Sequence, residues 1–314
     1  MKKITTIGGG GGQFVLLSAL KTIPDIEITS IVSMADSGGS TGRLRDELGA
    51  LPPGDVLKAL LALSTLPPDV VRDLLLRRFS SGVLSGHNAG NMLLTILSQY
   101  SGSFVEAVKT IGELLQIRGT VIPVTVGSLT LRARLEDGTV VVGETNIDIP
   151  KDRPIGRIRE LWLEPNALAL PQALAAVRDA DYICISPGDL FTSILPVLLV
   201  HGVADAFRET KAQVIYFCNI MTKNGETHGF TLRNFIEELE RYAGRRIDVV
   251  FAHGGDALPV TLLDRYRAEG AHPVAADLAD GDGERRVIVS DLVAAGTLLR
   301  HDPQKIVATL RTVL

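Results

Sequence analysis

The stretch KKITTIGGGGGQFVLLSALK, residues 2–21, decides the fold class. Residues 2–7 combine isoleucines with threonines as a strand does, and residues 13–21 carry the apolar recurrence of a helix. Between them stand Gly8, Gly9, Gly10, Gly11 and Gly12. Residues this small cannot pack a core, but ahead of a helix they let backbone N–H groups approach an anion. Strand, glycine loop and helix in that order open a βα unit.

The rhythm repeats outward from there. IEITSIV (26–32) is a second strand, and helical patterns follow at 54–64, 70–79, 90–100 and 104–117. After a helix at 171–180, the apolar runs DYICIS (181–186), AQVIYFCN (212–219) and RIDVVFA (246–252) return, connected by helices such as LRNFIEELERYAG (232–244). Fully apolar strands with helical crossovers imply an α/β protein with a mostly parallel sheet covered on both faces. One region breaks the pattern: SLTLRARLEDGTVVVGE (128–144) alternates polar and apolar residues about Asp137-Gly138, a hairpin signal. We read residues 1–314 as one domain with an antiparallel insertion or extension around 120–165.

Composition narrows the function. The chain has 314 residues, 46% hydrophobic and 22% charged, with a net charge of −4. That balance is ordinary for a soluble globular protein and offers no basic field for nucleic acid. The glycines after residue 7 leave no secretory apolar region at the N-terminus, and SILPVLLVHGVADAF (193–207) is interrupted by Pro196, His201 and Asp205, so no membrane insertion is expected. Cys184 and Cys218 each lie in an apolar run, as buried thiols of a cytoplasmic protein do. The histidines show no paired ligand spacing, so a zinc site is not expected. A homodimer is expected only because two-fold oligomers are common.

In open parallel sheets ligands collect beyond the carboxyl ends of the strands. Four strand exits here are rich in Gly, Ser, Thr, Asn and Asp: GGGGGQ, ADSGGSTGR, SPGDLFTS and NIMTKNGETHG. In the first, Gln13 breaks the G-x-G-x-x-G spacing of a dinucleotide fingerprint. In the second, Asp36, Ser37, Gly38 and Gly39 precede Arg43. Gly38–Gly42 match G-x-S-x-G, but the intervening residues after the strand do not fit a nucleophile elbow. Asp36 suits a ribose hydroxyl or a cation, while Arg43 and Arg45 either reach a ligand or pair with Asp46 and Glu47. Asp55 either caps the helix that follows it or faces a ligand. In SGHNAGN, Asn88 can cap a helix, with His87 and Asn91 left to face a ligand. Pro187, Gly188 and Asp189 lead into a helix start that also offers Thr192. Asn219 and Thr222 supply an amide and a hydroxyl on the adjacent loop.

Taken together, ADSGGSTGRLRDELGALPPGD, SGHNAGNMLL, SPGDLFTSILPVLLVHG and CNIMTKNGETHGF resemble the gluconeogenesis factor (YvcK) family within the CofD-like group, over nearly the whole chain. The resemblance implies a Rossmann-like sheet and a nucleotide-sugar ligand, UDP-N-acetylglucosamine (UDP-GlcNAc) or UDP-glucose. It also implies a regulatory role linked to carbon metabolism, cell-wall synthesis and cell shape. The sister branch, 2-phospho-L-lactate transferase, keeps open an alternative: an enzyme moving a phosphate-linked group from a nucleotide donor. Plain NAD(P) binding is a third reading. The chain departs from the family pattern at Gly11, which replaces a threonine, and at Ser37, which replaces a second acid. Two adjacent carboxylates would seat Mg²⁺ beside a diphosphate; Asp36 alone leaves Mg²⁺ an open option. Leu57 and Lys58 replace an arginine and an asparagine, and Phe191 replaces a tyrosine. In the C-terminal third, Tyr266 can stack on a uracil face and Arg300 can pair with phosphate oxygens, unless they are simply a half-buried tyrosine and a helix-terminal arginine.

Overall fold

The computed structural model describes residues 1–150, 156–254, 258–278, 283 and 285–314. Seven strands form one sheet: β1 (Lys2–Gly8), β2 (Ile26–Val32), β3 (Thr120–Pro123), β7 (Tyr182–Ile185), β8 (Gln213–Phe217), β9 (Val249–His253) and β10 (Arg286–Ser290). A second sheet holds β4 (Thr130–Leu135), β5 (Val140–Val142) and β6 (Ile158–Glu164). The large sheet runs in the order β10-β9-β8-β7-β1-β2-β3, and every adjacent pair is parallel. The expected α/β class therefore holds.

The strand order explains where a ligand can sit. From β1 the chain moves outward to β2 and β3, then returns to β7 beside β1 and moves outward the other way. Right-handed crossovers in opposite directions place their helices on opposite faces of the sheet. Helix Gly10–Leu20 packs against helices Gly54–Leu63 and Pro303–Leu310, while Pro171–Arg178, Val203–Glu209 and Leu232–Ala243 form a second packed group. The crevice between β1 and β7 is thus a topological switch point. The core reflects this double cover: Ile183, Cys184, Ile185, Val214, Ile215, Tyr216 and Phe217 are fully buried on successive positions. Burial pushes the Cys184 and Cys218 thiols up to about 12, so neither is a reactive thiolate.

The Asp137-Gly138 turn forms as read. Leu135 N donates to Thr139 O at 2.9 Å, Gly138 N donates to Leu135 O at 3.0 Å, and Gly138 takes the positive φ of 88° that the turn requires. The antiparallel sheet begins only at Thr130, however. Thr120–Pro123 pairs with β2 as the edge of the parallel sheet, which moves the insertion's start later than 120. The sequence reading also passed over β10, whose RVIVS pairs with β9. The Tyr242 hydroxyl accepts from Leu161 N at 2.9 Å, anchoring the small sheet on helix Leu232–Ala243. After β5, a short helix, Glu144–Asp148, returns the chain to the rim of the large sheet. Among the described residues no helix is long and apolar enough to cross a membrane.

Candidate functional site

A cavity of about 370 Å³ opens at the switch point. Gly9, Gly10, Gly11 and Gly12 line one wall, Pro187, Gly188 and Asp189 a second, and Asn219 the floor beyond β8. Three of these glycines are not loop, as the sequence suggested, but the first turn of helix Gly10–Leu20, with Gly9 at the N-cap and no side chain capping it. The amides of that turn lack intrahelical partners and carry the positive end of the helix dipole. Gly12 must be glycine: a Cβ there would lie 1.7 Å from Pro187 O, so the β1 and β7 exits touch backbone to backbone. Asn219 clamps the same turn, accepting from Gly188 N at 2.9 Å and donating to Gly188 O at 2.8 Å. Gln13, which breaks the dinucleotide spacing, is buried and donates to Ser30 Oγ at 2.7 Å, holding β2.

The opposite wall comes from the C-terminal third. Tyr266 and Arg300 both line the cavity. The Tyr266 ring is half-buried against Ile220, Met221 and Leu299, and its hydroxyl accepts from Leu299 N at 3.2 Å. That bond fixes the segment from which the exposed Arg300 extends. His301, passed over in the sequence reading, also lines the cavity. Its ring lies 3.1 Å from Cys218 O, and burial lowers it to about 4, leaving it neutral at pH 7.

Beside Gly9 lies a carboxylate cluster. A Cβ on Gly9 would meet Asp55 Oδ2 at 2.5 Å, and one on Gly54 would meet Asp36 Oδ2 at 2.8 Å. Asp55 does not cap its helix: Pro53 occupies the N-cap, and the Asp55 carboxylate pairs with Lys58 at 3.0 Å. Asp36 Oδ1 accepts from Gly38 N at 2.9 Å. Burial, then the Asp55 charge, raises Asp36 above the usual carboxylate range. Glu144, invisible in the sequence reading, joins from the insertion and accepts from Ser37 N at 3.2 Å. Burial first and then Asp36 push Glu144 up to about 7. A carboxylate thus reaches Ser37 from 107 residues away in the chain. Lys58 is raised, chiefly by Asp55 and further by Asp36 and Glu144. Carboxylate oxygens are the donors Mg²⁺ prefers, but among the described residues these three do not bring one oxygen each within 4.8 Å of one another.

A second cavity of about 470 Å³ adjoins the first and shares Asp189, Met221 and Tyr266 with it. Thr222 lines it, its hydroxyl oxygen accepting from His272 N at 2.9 Å. At its back Lys223 is held by Asp148, by Asp189 at 2.9 Å and by Glu226 at 3.1 Å. Asp148, Asp189 and Glu226 bring one oxygen each within 4.8 Å of one another. Burial works to lower the Lys223 ammonium, but Glu226, Asp189 and Asp148 outweigh it and hold it above its ordinary value. Burial pushes Glu226 up to about 8. Thr192 does not reach either cavity; its hydroxyl bridges Glu226 and Asp148 at 3.3 and 3.5 Å.

The remaining sequence candidates support the rim from behind. Asn88 caps helix Ala89–Ser101, accepting from Asn91 N at 2.8 Å. His87 Nδ1 lies 2.9 Å from Ser40 Oγ, and Asn91 Nδ2 donates to the same hydroxyl at 3.3 Å. The Ser40–His87 spacing is that of a nucleophile and its base, but both side chains are buried and line none of the cavities at the strand exits. Arg43 turns outward to Ser85 O at 2.5 Å and Glu47 at 3.8 Å. Arg45 instead ties the loop down, donating to Asp36 O at 3.1 Å and Leu129 O at 2.9 Å. A third cavity, about 390 Å³, lies between β3 and helix Phe104–Leu114, and no residue singled out above lines it.

Known proteins resemble this chain over nearly its whole length. A family model described as 2-phospho-L-lactate transferase CofD matches residues 4–293. The gluconeogenesis factor of Bacillus subtilis is 38% identical over 99% of this chain and 98% of its own; that of Listeria innocua is 44% identical over 99% and 95%. A crystal structure of a UPF0052 family member from Bacillus halodurans superposes with a TM-score of 0.91 at 39% identity, covering 98% of this chain and 99% of the other. On likeness of this extent, in sequence and in fold, the chain belongs to the gluconeogenesis factor family of the CofD-like group.

Proposed function

We propose that the chain is a cytoplasmic, nucleotide-sugar-binding regulatory protein that takes UDP-GlcNAc or UDP-glucose, with a role in carbon metabolism, cell-wall synthesis and cell shape. One observation carries this reading: the uncapped helix start at Gly9–Gly12 faces Tyr266 and Arg300 across a single cavity. Amides and a guanidinium suit a diphosphate, and a half-buried ring beside them suits a base. Asp36 argues against NAD(P), because its carboxylate is turned to Gly38 N and not to the glycine cavity. In this reading Asp36, Asp55, His87, Asn88, Asn91 and Thr192 support the rim from behind, and Gly9–Gly12, Gly188, Tyr266 and Arg300 touch the ligand.

A second reading, transfer of a phosphate-linked group from a nucleotide donor, is favoured by the cluster of Asp36, Asp55 and Glu144 beside Gly9. Their oxygens do not converge as a three-ligand seat, so a Mg²⁺ ion would have to arrive with the diphosphate, where it would offset that group's charge beside these carboxylates. Lys58 would balance the cluster when the ion leaves. Calorimetric titration with UDP-GlcNAc, with Mg²⁺ and with chelator, separates the readings. Micromolar binding that survives chelation supports the regulator. Metal-dependent release of a nucleoside monophosphate from a diphosphate donor supports the transferase. No UDP-sugar binding at millimolar ligand, or preference for NAD⁺, overturns the UDP-sugar assignment.

A further inference from the structure

We infer that the cavity behind Tyr266 is the glycosyl subsite of the same ligand, and that its walls select an uncharged, hydroxyl-rich sugar over one bearing a carboxylate. The inference rests on the nucleotide-sugar reading and adds to it a place and a selectivity for the sugar. The two cavities are continuous through Asp189, Met221 and Tyr266. A diphosphate on the Gly9–Gly12 amides therefore has room on its far side for a further group, and about 470 Å³ is within the size range of ligand pockets.

The walls define what that group can be. Lys223 is the only Lys or Arg among the described lining residues. Here the Lys223 ammonium donates to Asp148 and lies 2.9 Å from Asp189 and 3.1 Å from Glu226. Its charge is already balanced inside the cluster and is not offered to an anion. Asp148, Asp189 and Glu269 meanwhile line the same space, and ionised carboxylate oxygens have lone pairs for several hydrogen bonds each. Such walls accept hydrogen bonds from hydroxyl groups. A ligand carboxylate would bring its charge against them with no unpaired cation among the described lining residues, in a partly desolvated setting where like charges repel strongly.

Calorimetry with UDP, UDP-glucose and UDP-glucuronate tests this, since the last two differ only at one sugar carbon. The wild-type chain is expected to bind UDP-glucose more tightly than UDP, and UDP-glucuronate at least tenfold more weakly than UDP-glucose. Asp148→Asn is expected to narrow that ratio several-fold. Glu269→Gln, a change at an exposed position where substitutions usually cost little stability, is expected to narrow it by a smaller factor, and it keeps the test intact if Asp148→Asn folds poorly. Equal affinity of the wild type for the two sugars, or a ratio that neither variant changes, overturns the inference while UDP binding leaves the broader reading standing. Absence of binding by all three nucleotides overturns both.

Discussion

The glycine cavity and the carboxylate cluster lie side by side at the ends of β1 and β2, yet they are made in opposite ways. The cavity's anion-facing wall is backbone: a helix start without a capping side chain, pressed against the Pro187-Gly188 turn. The cluster is side chain throughout, with Asp36, Asp55 and Glu144 arriving from three separate segments and Lys58 balancing them. A backbone wall is rigid and tolerates no added atoms where it is tight, but its amides do not titrate. A carboxylate wall tolerates isosteric change and responds to pH. The two regions should therefore fail differently when altered.

The largest effect is expected at Gly12. Gly12→Ala places a Cβ 1.7 Å from Pro187 O and 2.4 Å from Pro187 C. Both are backbone atoms, so the two strand exits must move apart. The cost should reach about 3 kcal/mol, the upper end of ordinary overpacking, read as a fall in denaturation midpoint together with loss of UDP-sugar binding. A variant as stable as wild type would break the claim that this wall is made by close backbone contact.

Arg300 comes next and acts on binding alone. Its side chain is exposed, so Arg300→Ala should leave the folding stability within about 0.5 kcal/mol of wild type. Loss of a charge-assisted bond to a phosphate should weaken UDP-sugar binding by about 2 kcal/mol, roughly thirtyfold in Kd. Unchanged affinity would mean that the backbone amides carry the diphosphate by themselves, which would sharpen the contrast with the side-chain cluster.

Glu144 tests the other region through pH. Burial and Asp36 raise Glu144 from 4.5 to about 7, so between those values the folded chain holds a proton that the unfolded chain has released. Protonation therefore favours the fold, and this contribution is lost as pH rises through about 7. Glu144→Gln removes the titration while keeping an acceptor for Ser37. The variant should gain on the wild type in melting temperature from pH 5 to pH 8. A difference independent of pH would show that Glu144 does not feel the charges of the cluster.

These two constructions also explain what the sequence made legible. Glycine strings act locally: GGGGGQ and SPGDL announce their backbone before any tertiary contact is known, and Gly9–Gly12 and Pro187–Asp189 from them line one cavity. Alternation about Asp137-Gly138 is local in the same sense. The carboxylate cluster is not. Glu144 sits at the end of a hairpin with nothing nearby in sequence to mark it, and only the return of helix Glu144–Asp148 to the rim brings it to Ser37. Lys223 and Glu226 stood within a quoted loop, but their partner Asp148 lies 75 residues earlier than Lys223. For Asp55 the sequence leaves a cap and a ligand contact both open, because a Pro-Pro-Gly-Asp run looks like a cap until Pro53 is seen to hold that place. Thr120–Pro123 was assigned to the hairpin region because edge pairing with β2 depends on sheet order, which local pattern does not encode.

The smallest effect, and the finest test, lies one residue from the largest. Gly11 neighbours Gly12 on the same helical turn, but an added Cβ there meets nothing within 4 Å, and Gly11 is not among the glycines with positive φ. Alanine restricts the unfolded chain more than glycine and favours the helix, so Gly11→Ala should stabilise the fold by up to ~1 kcal/mol. The open space beside Gly11 is the cavity itself, so the same methyl group should impede an anion approaching the helix start and lower UDP-sugar affinity a few-fold. Stability and binding would then move in opposite directions at one position, as they must if the wall exists to leave room for a ligand. A rise in both would place the anion elsewhere along the rim, nearer Gly188, and make Gly11 a position of helix propensity alone.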